Sequence, residues 1–169
     1  MKITRKKAME YNIVLNMLAS FEATIRFQYT LRKNLNVLED EMKIIQEIKE
    51  KITTPSPEIE EYEKKRITLC EEYCDKNEDN SPKKIGSGRE EQFVFSHDNK
   101  IILDSKMQEL MEEYKEVLDK EIEEEKEFFN FIEEEIDVNL IKLKLSEMPL
   151  DKTIEQKYIN AIFDLIEEE

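Results

Sequence analysis

The first third of the chain carries apolar residues at every third or fourth position, which predicts one long amphipathic helix over about residues 11–52. No Gly or Pro interrupts this segment, so it lacks the residues that destabilise a helix most. Its clearest stripe has steps of four and three and consists of Leu31, Leu35, Leu38, Met42, Ile45 and Ile52. Such stripes usually pack inside their own domain, and the alternative is an interface with a second chain.

A second stripe precedes this one and does not continue into it. Its members are Val14, Leu18, Phe21 and Ile25. The phase of the pattern changes between Ile25 and Leu31, and Phe27 and Tyr29 fall on neither stripe. If a partner binds through this helix, we expect Phe27 and Tyr29 to contact it.

Two prolines end the first helix and begin another. Thr-Thr-Pro-Ser-Pro at residues 53–57 breaks the helix because each proline lacks an N–H group and disfavours helix in the residue before it. Ser56 is suited to cap a second helix, and Pro57 is suited to its first position. A short linker between two helical patterns predicts an antiparallel hairpin, here over residues 8–74.

The segment after the second helix lacks a periodic pattern. Residues 75–91 contain both glycines and almost no apolar side chain, which predicts an exposed, mobile loop. Its Gly-Ser-Gly lacks the glycine spacing and the following Lys-Ser/Thr of a phosphate-binding loop.

Short strands are predicted in the second half. Aromatic and β-branched residues at 92–96 favour a strand, and residues 101–103 could return as a second strand after a turn at His97. Residues 136–145 alternate between apolar and polar, which is typical of a strand. We expect this last segment to pair with residues 93–95 in a small antiparallel sheet.

Two further helices complete the predicted order of elements. Asp104 or Ser105 caps the first, which continues to Ile132 with a bend where residues 121–125 interrupt its apolar stripe. Asp151 or Thr153 begins the second. Its predicted buried face consists of Ile154, Tyr158, Ile162, Leu165 and Ile166.

These patterns predict a mainly α protein. A long helical hairpin and further helices are joined by a small antiparallel β element, so that the second half, residues 92–169, is α+β. A chain of 169 residues favours a single domain over 1–169. Its hydrophobic fraction of 39% and charged fraction of 40% suit long helices with one apolar stripe better than a thick core.

The formal charge of −15 determines which partners are favoured. An acidic surface repels phosphate backbones, so we expect no direct nucleic-acid binding, and it attracts basic protein surfaces. The alternative is that the charge only keeps the protein in solution. The predicted partner-binding carboxylates are Glu121, Glu123, Glu124, Glu125, Glu127, Glu133, Glu134 and Glu135. They form either a solvated helix face or a docking surface that imitates a polyanion.

Catalytic and metal chemistry find little support in the sequence. His97 is the single histidine, and no nucleophile accompanies it in a recognisable pattern. Cys70 and Cys74 are four residues apart on a predicted helix and imply neither a disulfide framework nor the four ligands of a zinc site. We therefore predict a protein that is not an enzyme and needs no cofactor. No segment has the ~20 apolar residues of a membrane span, and without a signal peptide we expect a cytoplasmic location.

Three segments carry a resemblance to known proteins. They are Leu-Arg-Lys-Asn-Leu at residues 31–35, Leu-Cys-Glu-Glu-Tyr-Cys-Asp-Lys-Asn-Glu-Asp at 69–79 and Ile-Phe-Asp-Leu-Ile-Glu-Glu at 162–168. In this order the chain resembles a group of small uncharacterised bacteriophage and prophage proteins of low-GC bacteria. The resemblance covers most of the chain, but extra residues at about 120–131 depart from it. It implies a viral, non-enzymatic protein and assigns no site residue.

Charge and resemblance together predict an acidic phage-type protein that acts by protein–protein binding in the host cytoplasm. The expected activity is inhibition of a host defence system in the manner of an anti-CRISPR protein. The protein would occupy the basic nucleic-acid-binding surface of a nuclease or CRISPR effector. The alternative is a phage structural or assembly protein, or a coiled-coil module that forms a homodimer through the stripe over residues 31–52.

Overall fold

A computed structural model describes residues 1–149 and 153–167, apart from the side chain of Arg89. The chain divides into two compact units. The first unit consists of Met1–Lys51 together with Lys126–Glu169, and the second consists of Ile52–Glu125. The single domain over 1–169 stays a prediction, because one domain can contain more than one compact unit.

Helices account for most of the described residues. They are α1 (Arg5–Ala19), α2 (Ile25–Thr53), α3 (Pro57–Tyr73), α4 (His97–Glu113), α5 (Lys115–Glu133) and α6 (Gln156–Ile162). The strands have two or three residues each, and they are β1 (Lys2–Thr4), β2 (Lys84–Ile85), β3 (Gln92–Phe93), β4 (Glu135–Asp137), β5 (Leu143–Lys144) and β6 (Ile166–Glu167). The predicted mainly α fold with small antiparallel β elements is confirmed.

The predicted single helix over residues 11–52 is wrong, because the segment forms two helices, α1 and α2. At the end of α1 the Ser20 hydroxyl donates to the Met17 carbonyl at 2.6 Å. Before α2 the Thr24 hydroxyl accepts the Phe27 N–H at 3.2 Å, as a helix cap does. These local hydrogen bonds satisfy helix ends without Gly or Pro, so composition alone gave no sign of the break.

The core of the first unit lies against one face of α1 and one face of α2. Its buried members include Tyr11, Val14, Leu15, Leu18, Phe27, Leu31, Leu35, Leu38, Val138, Leu143, Met148, Ile162 and Leu165. The stripe predicted from Leu31 onward is therefore mostly a core face. A homodimer through that stripe stays a prediction, and only its partly buried members Met42 and Ile52 are accessible to a second chain.

The strands pair differently from the prediction. β4 pairs antiparallel with β1, where Ile136 lies opposite Ile3, and β5 pairs parallel with β6, where Leu143 lies opposite Ile166. The predicted pairing of residues 136–145 with residues 93–95 is wrong, since β3 pairs with β2. Strands this short show no alternation of their own, so the sequence does not identify their partners.

Within the second unit α3 packs against α4. The rings of Tyr62 and Tyr114 lie 5.6 Å apart between centroids, and the Lys65 ammonium lies 2.7 Å from a Glu113 carboxylate oxygen. The packing partner of α3 there is the next helix in sequence. The hairpin predicted over residues 8–74 stays a prediction, because α2 and α3 belong to different compact units.

Main-chain hydrogen bonds connect the end of α3 to the start of α4. Asp75 N–H donates to the Val94 carbonyl at 2.8 Å, and Lys83 N–H donates to the Asp75 carbonyl at 2.7 Å. The Asp75 carboxylate also accepts the Ser96 N–H at 2.9 Å, so α3 and α4 run antiparallel. The mobility of residues 75–91 stays a prediction, but their backbone forms β2 and several turns.

The predicted turn at His97 and the predicted strand at residues 101–103 are wrong. His97 is the first residue of α4, with Ser96 in the preceding cap position, and Leu103 is buried on that helix. Asp104 and Ser105 therefore lie inside α4 and do not begin a helix. A short apolar run occurs in strands and in buried helices alike, and here the helical packing of α4 decides between them.

Two other helix boundaries differ from the prediction. The break occurs at Tyr114, between α4 and α5, whereas α5 continues without interruption through residues 121–125. The last helix begins at Gln156 and not at Thr153; the alternative start at Asp151 lies outside the described residues. Tyr114 is buried against Tyr62. The break therefore occurs where a side chain packs against α3, and the run of glutamates does not interrupt the helix.

Asn34 is the one polar side chain that is buried among the residues described. Its amide nitrogen donates to the Ile141 carbonyl at 2.8 Å, and its amide oxygen accepts the Ile141 N–H at 2.7 Å. The carboxamide thus takes both main-chain groups of one residue, as a neighbouring strand would. It fastens the segment between β4 and β5 to α2.

We expect Asn34→Leu to lower the free energy of unfolding by about 2 kcal/mol, because both main-chain groups of Ile141 lose their partner. Urea unfolding followed by circular dichroism measures the change. Asn36→Leu is the matched control, since Asn36 is exposed on the same helix. Equal effects of the two substitutions would contradict the role of Asn34.

Arg5 connects α1 to α2 and to the end of α5. Its guanidinium donates to the carboxylates of Glu41 and Glu134 and, at 3.2 Å, to the Phe131 carbonyl. The same group lies 4.1 Å from the centroid of the Phe131 ring, within the range of a cation–π contact. One side chain therefore connects α1, α2 and the C-terminal end of α5.

Arg5→Ala is expected to lower the free energy of unfolding by about 1 to 2 kcal/mol, because two carboxylates and a carbonyl lose a shared donor. The neighbouring Lys6 forms one exposed ion pair with Glu133. Lys6→Ala should leave the urea midpoint nearly unchanged. A loss for Lys6→Ala as large as that for Arg5→Ala would contradict this assignment.

Candidate protein-binding surfaces

The glutamates of α5 do not form one acidic face. An α-helix has 3.6 residues per turn, so residues four apart share a face. Glu121 and Glu125 lie on the side that also carries the buried Ile132, whereas Glu123 and Glu127 point to another side. Partner binding through all of these carboxylates at once is therefore not favoured by the helix geometry.

Ion pairs engage several of the predicted carboxylates. Glu124 lies 3.6 Å from Lys120, Glu133 lies 2.8 Å from Lys6, and Glu134 pairs with Arg5. Glu135 is in β4, opposite Thr4 of β1. Within the predicted set the exposed side chains on α5 are Glu123, Glu125, Glu127 and Glu133. Their role in binding a partner stays a prediction.

The two aromatic candidates on α2 have opposite environments. Phe27 is fully buried in the core of the first unit, so it is inaccessible in the folded chain and its prediction as a partner contact is wrong. Tyr29 is 60% exposed, with the Lys33 ammonium 5.4 Å from its ring centroid. Phe27 lies four residues before Leu31 on α2, so it continues the buried stripe toward the start of that helix, contrary to the sequence expectation.

Negative charge is concentrated in the second unit. Residues 52–125 contain 22 acidic and 11 basic residues, whereas the remainder of the chain contains 19 acidic and 15 basic residues. Total charge and local glutamate runs do not reveal this division, since the boundaries of the units become visible only in the tertiary structure.

The cysteines and the histidine lie apart from any cluster of metal ligands. The Cys74 thiol is buried and donates to the Glu71 carbonyl at 3.3 Å, while burial raises the pKa of the half-buried Cys70 thiol. His97 is exposed at the start of α4. Over residues 1–149 and 153–167 no three His, Cys, Asp or Glu side chains are grouped to hold a metal ion.

A polar groove of about 650 Å³ lies between α1 and α2. Asn12 and Asn16 line it from α1, opposite Asn36 and Gln46 from α2, with Leu35 among the apolar residues of its wall. Carboxamides both donate and accept hydrogen bonds, which suits contact with peptide groups. Both basic and acidic side chains line the groove, so its charge favours neither anionic nor cationic ligands.

A buried tyrosine connects α1 to the segment after α6. The Tyr11 hydroxyl donates to the Asp164 carboxylate, and the Lys7 ammonium lies 3.8 Å from the same carboxylate. Burial, together with the hydrogen bond to Asp164, raises the pKa of Tyr11. The phenol therefore stays protonated in the folded chain at a pH where the unfolded chain has lost that proton.

Stability is expected to fall as the pH rises above about 10, the ordinary pKa of tyrosine, because only the unfolded state then releases the Tyr11 proton. Tyr11→Phe should reduce this fall. Urea unfolding at about pH 8 and about pH 11 measures both. An identical loss of stability in the wild type and in Tyr11→Phe would contradict the assignment.

No helix in the described ranges is long and apolar enough to span a membrane. Comparisons of the chain with models of protein families, with curated proteins and with solved structures find no match. Its own charges and exposed surfaces are therefore the features that bear on its function.

Proposed function

We propose that this protein acts by binding another protein, and that its second unit presents an acidic surface to a basic surface of the partner. The observation that supports this most is the twofold excess of acidic over basic residues in residues 52–125. Such an excess produces a negative potential that accelerates encounter with positively charged partners and opposes binding to phosphate backbones.

The partner class that fits this charge is a host protein with a basic nucleic-acid-binding surface, such as a nuclease or a CRISPR effector. The resemblance to bacteriophage and prophage proteins supports the same class, because inhibition of such enzymes protects phage nucleic acid. The protein then works without catalysis: it competes with nucleic acid for the basic surface. The stripe that favoured a coiled-coil or assembly role lies mostly in the core, which supports the proposed binding role over this alternative.

Charge reversal of Glu123 and Glu125, both exposed in the second unit, is expected to weaken this competition about tenfold. The measurement is displacement of labelled DNA from a panel of purified nucleases and CRISPR effectors. Higher salt should weaken the wild type as well, because attraction between charges is screened over about 10 Å at 0.1 M.

The matched control reverses Glu22 and Glu167, which are exposed in the first unit, with the same change in net charge. It should compete nearly as well as the wild type. Equal loss in both variants would contradict an acidic surface on the second unit. The absence of competition against every member of the panel would contradict the proposed partner class.

A further inference from the structure

A second apolar stripe on α2 faces solvent. Tyr29, Val37 and Ile44 are 60%, 43% and 46% exposed, and the half-buried Ile48 continues the row. Tyr29, Lys33 and Val37 follow one another at steps of four, and Ile44 lies seven residues after Val37. This spacing places all four residues on one helix face. That face is distinct from the buried face that contains Leu31 and Leu38. α2 therefore has one apolar side in the core and another that the described part of the chain leaves exposed.

We propose that a second copy of this chain docks on the exposed stripe of α2, with the two helices antiparallel. This inference does not depend on the acidic surface of the second unit. It depends on the stripe and on the charges along it, which are unevenly distributed between the two halves of the helix.

The first half of α2, residues 25–36, contains three basic residues and no acidic one. The second half, residues 37–53, contains five acidic and three basic residues. In an antiparallel pair each basic half lies beside the acidic half of the other copy. In a parallel pair, halves of the same charge lie side by side, and Lys33 of one copy approaches Lys33 of the other. Charge complementarity thus selects both the occupant and its direction.

The apolar residues fix the register of the pair. A twofold axis between residues 40 and 41 places Val37 of each copy against Ile44 of the other, which is the reciprocal arrangement of an isologous interface. The same axis brings Lys33 near Glu47 of the second copy. Neither side chain has an ion-pair partner within residues 1–149 and 153–167. Asp40 lies beside the axis, where its 97% exposed carboxylate meets its own copy.

Sedimentation equilibrium of the full chain tests the association. The wild type should dimerise reversibly, and Val37→Glu and Ile44→Glu should each weaken the dimer at least about tenfold, because each places a charge in an apolar contact. Ile13→Glu is the matched control, since Ile13 is a 59% exposed residue of α1. Circular dichroism verifies that all variants are folded. A wild type that stays monomeric up to millimolar concentration would overturn the proposal.

Charge exchange tests the direction of the helices. Lys33→Glu and Glu47→Lys should each weaken the dimer, and the double variant should restore it, because the antiparallel pair brings these two positions together. Asp40→Asn should strengthen the dimer by removing like charges at the axis. If the double variant loses as much dimerisation free energy as the two single variants lose together, the antiparallel arrangement is overturned.

Disulfide cross-linking gives an independent measurement in a Cys70→Ser background, in which the remaining Cys74 is buried. Asp40→Cys should form a cross-linked dimer, because position 40 meets its own copy. Tyr29→Cys should not, because the two positions lie roughly 35 Å apart along antiparallel helices at 1.5 Å per residue. Equal cross-linking at both positions indicates parallel helices and would overturn the proposal.

Discussion

The apolar face of α2 is the surface on which the first compact unit is built. α1 covers this face from the preceding part of the chain, and the segment around Ile141 reaches it from 107 residues away in sequence. Asn34 determines how that segment aligns, because its carboxamide takes both main-chain groups of Ile141. A shift of the segment would leave the buried Asn34 carboxamide without its hydrogen-bond partners.

The remaining sides of α2 and the second unit carry the features that bear on function. One side of α2 faces the polar groove with α1, and another exposes Tyr29, Val37 and Ile44 to solvent. Residues 52–125 hold a twofold excess of acidic residues on a helical unit. Self-association through an apolar stripe and attraction of a basic partner use different surfaces, so neither excludes the other.

Particular residues show how far the sequence could predict the fold. Ser56 and Pro57 were assigned to the start of α3, and the Ser56 hydroxyl accepts the Ile59 N–H at 3.2 Å as a cap does. Such caps are local, so sequence patterns capture them. The site was predicted less well. Tyr29 is exposed, but Phe27 is buried, because it lies four residues before Leu31 and shares the core-facing side of α2.

By itself the sequence determined the mainly α class, the core stripe from Leu31 to Ile45 and the acidic character, because each depends on composition or on a local period. Only the tertiary structure decided the pairing of β1 with β4, the packing of α3 on α4 and the uneven charge of the two units. These features join residues far apart in the chain, and strands of two or three residues have no period that could reveal their partners. The exposed stripe on α2 depends on both sequence and structure. Its spacing is visible in the sequence, but only the fold shows that it faces solvent.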